Sequence, residues 1–308
     1  MKKIHSMIVL LALGLASPEQ ASAARQPKHP QVPPGVEAFY DLPYVTNGHE
    51  RQKLDLYVPK HAGGDKLPLI VWIHGGGYSS GSKTSCPPLK NGFAARGYAI
   101  ASIGYRLTDA APFPAQVQDC KSAVRWLRAN AGKYGLDANR IVAWGSSAGA
   151  SLSLFLGSTG NAKKYDTSDN PQFSSAVQAV ISYYGGGDMR AEGDNLTPRN
   201  LAAGSTFEKY LGGPALENKE KAAEASAIIH VSKDSAPTHF FHGTADKTVP
   251  LARGMRMHEA LGKAGVPTKM KTFDGAGHGG PMFWETETLD AVDAFIRAQL
   301  PPPDRKAK

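Results

Sequence analysis

From Gln52 onward, short apolar runs alternate with stretches whose apolar residues recur every three or four positions. "QKLDLYVP" alternates Leu54, Leu56 and Val58 with other residues, the period of a half-buried strand. "PLIVWIH", "YAIASIGYRL", "RIVAWGS", "AVQAVISYYG" and "THFF" are nearly continuous apolar runs, as in strands covered on both faces. "PAQVQDCKSAVRWLRANAGKYG" spaces Val117, Cys120, Val124, Leu127 and Ala131 at helical intervals, with Pro114 near the first turn. "LKNGFAARG" predicts a short helix closed by Gly97. "AGASLSLFLG" and "LARGMRMHEALGKAG" predict further helices, "TKMKTF" a strand and "ETLDAVDAFIRAQL" a last helix. Such alternation calls for an α/β fold, a mostly parallel central sheet with helices on both faces, joined by right-handed crossovers. Between Gly186 and about Ser235 the pattern loosens. That stretch reads as a small insertion after the sixth strand, lying over one edge, and not as a second domain.

The ends carry other signals. Lys2 and Lys3, the apolar run Met7 to Ala16 and the small residues Ala21-Ser22-Ala23 form the three parts of a secretory signal peptide. The run is short of the about 20 residues that span a bilayer, and an uncleaved anchor is the other reading of this segment. The expected organisation is a signal peptide at 1–23, a Pro-rich arm at 24–37, one domain at 38–300 with a lid-like insertion at 186–235, and a tail at 301–308. The mature protein is expected to be periplasmic or extracellular, with no membrane contact after cleavage. In an exported chain the two cysteines, Cys86 and Cys120, suggest a disulfide, with two separate buried thiols as the other reading. The net charge is +8, but the basic residues are scattered, and a nucleic-acid binder concentrates them in a stripe or arm.

The chemistry is concentrated in "GSSAG", Gly145 to Gly149, between a predicted strand and a predicted helix. This is G-x-S-x-G in a strand-turn-helix setting, a nucleophile elbow. So sharp a turn needs small residues two positions either side of the nucleophile. Ser147 has Gly145 and Gly149, whereas Ser146 would have Trp144. A serine hydroxyl needs a base, and the base an orienting acid, here in the chain order Ser, Asp, His. Asp246 follows the strand "THFF", and His278 lies in "DGAGHGG" after the last predicted strand. Asp246 could instead cap the helix starting near Pro250, and Asp274 is a rival acid on the histidine's own loop.

"HGGG", His74 to Gly77, ends a strand upstream of the elbow. Gly76, Gly77 and Ala148 are the candidate oxyanion-hole donors, with His74 bracing the loop. Tyr78 and Trp284 are candidate pocket walls. "HGGGYSSG" lacks the Lys-Ser/Thr pair of a P-loop, and "GAGHGG" lacks the following strand and acidic residue of a dinucleotide site. His239 and His242, three apart on a strand, point to opposite faces, and no clustered ligand set accompanies them. No metal or cofactor is called for.

Together "VWIHGGGY", "ASIGYRL", "FPAQVQDCKSAVRWLRANAGKYGLD", "GSSAG", "LGG", "HGTADKTVP" and "GAGHG" resemble the α/β-hydrolase superfamily over roughly residues 36–300. The resemblance is to hormone-sensitive-lipase-like bacterial esterases, and more closely to the exported acetyl-xylan and feruloyl esterase-like branch. It implies an α/β-hydrolase fold and ester hydrolysis through an acyl-enzyme, with Ser147, His278 and Asp246 as the triad. Short acyl esters, small or attached to a polysaccharide, are the implied substrates. Amide cleavage by a peptidase or arylformamidase-like enzyme is the alternative on the same triad, and a silent binding module a third. Many hormone-sensitive-lipase-like enzymes carry a helical N-terminal cap, but only the Pro-rich arm precedes the first strand here. The motifs set neither the acyl and alcohol groups nor the oligomeric state.

Overall fold

A computed structural model describes residues 29–60, 65–192 and 195–300. The segments expected to be a signal peptide (1–23) and a tail (301–308) lie outside the described residues. In chain order the strands are β1 (Val36–Pro43), β2 (Lys53–Pro59), β3 (Leu67–Ile73), β4 (Ala99–Ile103), β5 (Leu136–Ser146), β6 (Ala179–Tyr183), β7 (Thr238–Gly243) and β8 (Thr268–Phe273). The helices are α1 (Pro87–Lys90), α2 (Ala115–Ala129), α3 (Ala148–Thr159), α4 (Pro198–Leu201), α5 (Thr206–Leu211), α6 (Lys219–Glu224), α7 (Leu251–Lys263) and α8 (Thr286–Gln299).

All eight strands join one sheet in the order β1-β2-β4-β3-β5-β6-β7-β8. β2 runs antiparallel to β1 and β4, and every later pair is parallel. This is the α/β-hydrolase architecture. Along β3, Leu69, Val71 and Ile73 enter one core and Ile70 and Trp72 the other, as the two-residue period of a strand requires. The first core also takes Val117, Cys120, Val124 and Leu127 of α2 with Leu152, Phe155 and Leu156 of α3. The second takes Leu89 of α1 and Val292, Phe295 and Ile296 of α8.

Two local expectations change. β1 begins at Val36, inside the stretch expected to be arm, and pairs with β2. The helix expected over "LKNGFAARG" is a single turn, Pro87–Lys90, after which the chain runs in turns to Gly97. Gly92 adopts φ 80°, which a continuing right-handed helix does not permit.

The expected disulfide is also corrected: Cys86 and Cys120 are free and buried. Cys120 belongs to the core under α2 and Cys86 to the core on the opposite face, so the sheet stands between them. A bridge needs Cα atoms within about 7 Å. Burial pushes the Cys86 thiol up to about 12 and raises that of Cys120 as well.

Candidate active site

In-register parallel pairing brings the carboxyl ends of five strands to one edge. Ile73 of β3 lies beside Gly145 of β5, Ser146 beside Tyr183 of β6, Tyr183 beside Phe241 of β7, and Gly243 beside Phe273 of β8. The loops leaving these ends carry His74 to Tyr78, Ser147, Tyr184, Asp246 and His278, and such an edge is where open α/β sheets hold their sites.

Ser147 turns the chain from β5 into α3 with φ 53° and ψ −120°, a left-handed backbone angle that costs a non-glycine residue roughly 1–3 kcal/mol. Its N–H is tied to the Tyr183 carbonyl at 2.9 Å. The flanking glycines let the turn close. A Cβ on Gly149 would stand 2.0 Å from the Ile73 carbonyl oxygen, and one on Gly145 2.3 Å from the Gly149 backbone. The serine hydroxyl donates to His278 Nε2 at 2.8 Å, and His278 Nδ1 donates to Asp246 Oδ2 at 2.7 Å. Asp246 Oδ1 accepts the backbone N–H groups of Thr248 at 2.8 Å and Val249 at 2.9 Å. Asp246 thus orders the turn before α7, but the helix cap itself is Pro250. Burial favours the neutral acid, yet the hydrogen bonds from His242, His278 and Val249 hold the Asp246 carboxyl well below the usual carboxylate range. The rival Asp274 is exposed and accepts from Thr244 Oγ1 at 3.1 Å.

The glycine loop curls over the serine. Gly76 has φ 115° and Gly77 φ 59°, conformations open to glycine. The Ser79 and Ser80 N–H groups both donate to the Gly76 carbonyl, which fixes the turn of the loop. Among the described residues the N–H groups of Gly76, Gly77 and Ala148 donate to no protein acceptor. His74 is buried, stacks on Tyr105 at 4.3 Å, and donates from Nδ1 to the Gly75 carbonyl at 2.7 Å. Burial pushes its pKa down to about 4, so at neutral pH it is an uncharged brace for the loop.

The cleft above these groups has a volume of about 700 Å³. Tyr78 lines it, stacked on Tyr210 of α5 at 3.9 Å. Trp284 does not, and its expected role as a wall is corrected. It packs against Trp72, Trp144 and Tyr183 in the core on the α8 side of the sheet. The 3-10 turn Pro281–Trp284 carries it there, away from the loop that holds His278.

Several residues escape the motif reading. His242 lies on β7 with Nε2 donating to the Val249 carbonyl at 2.8 Å and standing 3.4 Å from Asp246 Oδ2. His239, on the opposite face, packs against Phe241 and Phe295. Tyr184 follows β6, and its ring meets that of His278 at 4.7 Å. Ser151 also lines the cleft. Its spacing of four from Ser147 puts it on the same helix face, a signal present in the sequence. Phe207 and Arg253 line the cleft too, and nothing local in the sequence marks them.

The BD-FAE family model matches residues 54–261. The chain belongs to the BD-FAE family. This BD-FAE member is 31% identical over 265 residues to the esterase LipQ of Mycobacterium tuberculosis, an alignment covering 81% of this chain and 60% of LipQ. Among solved structures, it is similar to the truncated form of a carbohydrate esterase from gut microbiota. Identity there is 26% and the TM-score 0.75, over 85% of this chain and 96% of that one. It is also similar to esterase 2 of Thermogutta terrifontis, a structure of which is phosphoramylated by tabun. There identity is 28% and the TM-score 0.70, over 89% of this chain and 98% of that one.

Proposed function

We propose that the protein is a serine hydrolase that cleaves carboxylic esters through an acyl-enzyme. The observation that carries this reading is the unbroken relay from Ser147 Oγ to His278 Nε2, and from His278 Nδ1 to Asp246 Oδ2. Ser147 Oγ attacks the ester carbonyl as His278 Nε2 takes its proton. The new Oγ–C bond leaves the carbonyl oxygen negative, within reach of the Gly76, Gly77 and Ala148 N–H groups. Preorganised donors of this kind contribute about 100- to 1000-fold each. Collapse breaks the C–O bond to the alcohol, and His278 returns the proton to the departing oxygen. Water, deprotonated by the same nitrogen, then releases the acid and restores Ser147. The ionised Asp246 holds Nδ1–H in place throughout and stabilises the imidazolium.

The substrates on this reading are short acyl esters, small or attached to a polysaccharide as acetyl or feruloyl groups. The carbohydrate-esterase relative supports this class, and the export expected from residues 1–23 would bring the protein to a polymer outside the cytoplasm. The segment 186–235 would serve as a partial cover, since its Thr206 approaches Gly77 at the cleft mouth. Hydrolysis of p-nitrophenyl acetate by wild type and Ser147→Ala tests the mechanism, and equal rates would refute it. Acetyl release from acetylated xylan tests the polymer class, which no activity on any polymer would remove.

A further inference from the structure

Arg253 is 1% exposed yet lines the cleft. Its Nη2 donates to the Asp188 carbonyl at 2.5 Å, and its guanidinium sits 4.9 Å from the centre of the Phe207 ring. Nε is buried without a hydrogen-bond partner. The nearby Asp188 carboxylate is already taken, by Arg190 at 2.9 and 3.0 Å and by Ser226 Oγ at 3.3 Å. Burial lowers the Arg253 pKa only to about 10, so the group remains a cation at neutral pH. Arg199, exposed at the mouth, is the second arginine of the cleft, and among the described residues no lining side chain is acidic.

A buried cation held by a carbonyl and a ring pays desolvation without a paired anion to offset it. In the low dielectric of such a site an incoming anion is attracted far more strongly than in water. We propose that Arg253 forms a carboxylate-binding subsite in the wall of the cleft, selecting esters whose acyl group carries a second, ionised carboxyl. The proposal rests on the ester-hydrolase reading above.

The acyl half is the part that reaches it. Ser151, one turn beyond Ser147 on α3, accepts the Gly186 N–H at 3.2 Å. Gly186 in turn presses on Arg253, where a Cβ would stand 2.9 Å from the guanidinium carbon. This chain of contacts links the nucleophile's helix to Arg253. The alcohol departs past His278, which is partly exposed. Hydrolysis of the half-ester is unchanged in chemistry. Water is consumed, the Oγ-linked acyl group is released as a dicarboxylate, and Arg253 contacts only the non-reacting carboxylate.

The test is a pH-stat comparison of monomethyl succinate and monomethyl glutarate with methyl 4-methylpentanoate and methyl 5-methylhexanoate. In each alkyl ester an isopropyl group replaces the carboxylate at equal size. Wild type is expected to favour the half-esters in kcat/KM by about tenfold or more, since a hydrogen bond to a charged group is worth about 10- to 100-fold. Arg253→Met is expected to abolish that ratio and Arg253→Lys to restore part of it. Should the Met variant not fold, free glutarate against butyramide as inhibitors of wild-type p-nitrophenyl acetate hydrolysis gives an independent reading, with competitive inhibition by glutarate expected. Preference for the alkyl esters, an unchanged ratio in a folded Arg253→Met, or inhibition by glutarate no stronger than by butyramide would overturn the subsite. Hydrolysis of neutral esters survives all of those results, whereas loss of the ester-hydrolase reading would abolish it in wild type.

Discussion

Asp246→Asn tests the relay at the point where geometry dictates the outcome. Asp246 Oδ1 holds two backbone N–H groups, those of Thr248 and Val249, while Oδ2 faces His278 Nδ1. Asparagine has one oxygen and one amide group to fill those places. If its oxygen stays on the two backbone donors, its NH₂ faces His278 Nδ1. The histidine must then carry its proton on Nε2, and Ser147 loses its base. If the amide flips, the His278 tautomer is rescued but the Thr248 and Val249 N–H groups face an NH₂. Leaving two half-buried donors unpaired costs up to about 2–6 kcal/mol, at about 1–3 kcal/mol each. The unflipped, wrong-tautomer state therefore dominates, and a loss on the order of 10⁴-fold in kcat is expected. Even the flipped form caps recovery, because about 2 kcal/mol corresponds to roughly 30-fold. The backbone anchor survives in the unflipped state, so the melting temperature is expected to stay within a few degrees, whereas Asp246→Ala loses both. Initial rates on p-nitrophenyl acetate with parallel thermal melts decide it. A folded Asp246→Asn within threefold of wild type would refute the assignment of this carboxylate.

The remaining predictions concern stability and redox state. Burial holds both His74 and His239 down to about 4, against about 6.5 when unfolded. Between those values the unfolded chain binds more protons, so stability falls as pH drops from about 6.5 to 4, by roughly 3 kcal/mol per histidine. Asp246, depressed instead, contributes stability above its unfolded pKa near 3.9 that is lost as pH falls through its lower folded value. Thermal melts at pH 7 and 4.5 should show a smaller gap for His239→Phe than for wild type; an identical gap removes His239 from the explanation. Alkylation in denaturant without reductant should add two labels, one for each free thiol. Native protein should label slowly, and an unlabelled denatured chain would restore the disulfide.

The sheet's central strands and long helices are legible in the sequence because each is buried on a face its own pattern specifies. β1 is not: its residues are half-exposed at the sheet edge with β2 as sole neighbour, so no apolar period marks it. The triad's members are legible for a similarly local reason. The elbow needs Gly145 and Gly149 around Ser147, and Asp246 and His278 follow strand ends. Trp284 and the cysteines misled because an aromatic near a loop, or an even cysteine pair, says nothing about which face of the sheet it occupies.

By itself the sequence determined what depends on near neighbours: strand and helix periods, the tight turn at Ser147, and the glycines that free the loop amides. Only the tertiary structure decided which groups meet across the chain. His278 reaches Ser147 and Asp246 because parallel pairing sets the ends of β5, β7 and β8 on one edge of the sheet, and the cysteines part because the sheet intervenes. Arg253 becomes a buried cation in the cleft because α7 packs against the segment leaving β6. Burial and partner are properties of packing between distant segments, and a residue's neighbours in sequence do not encode them.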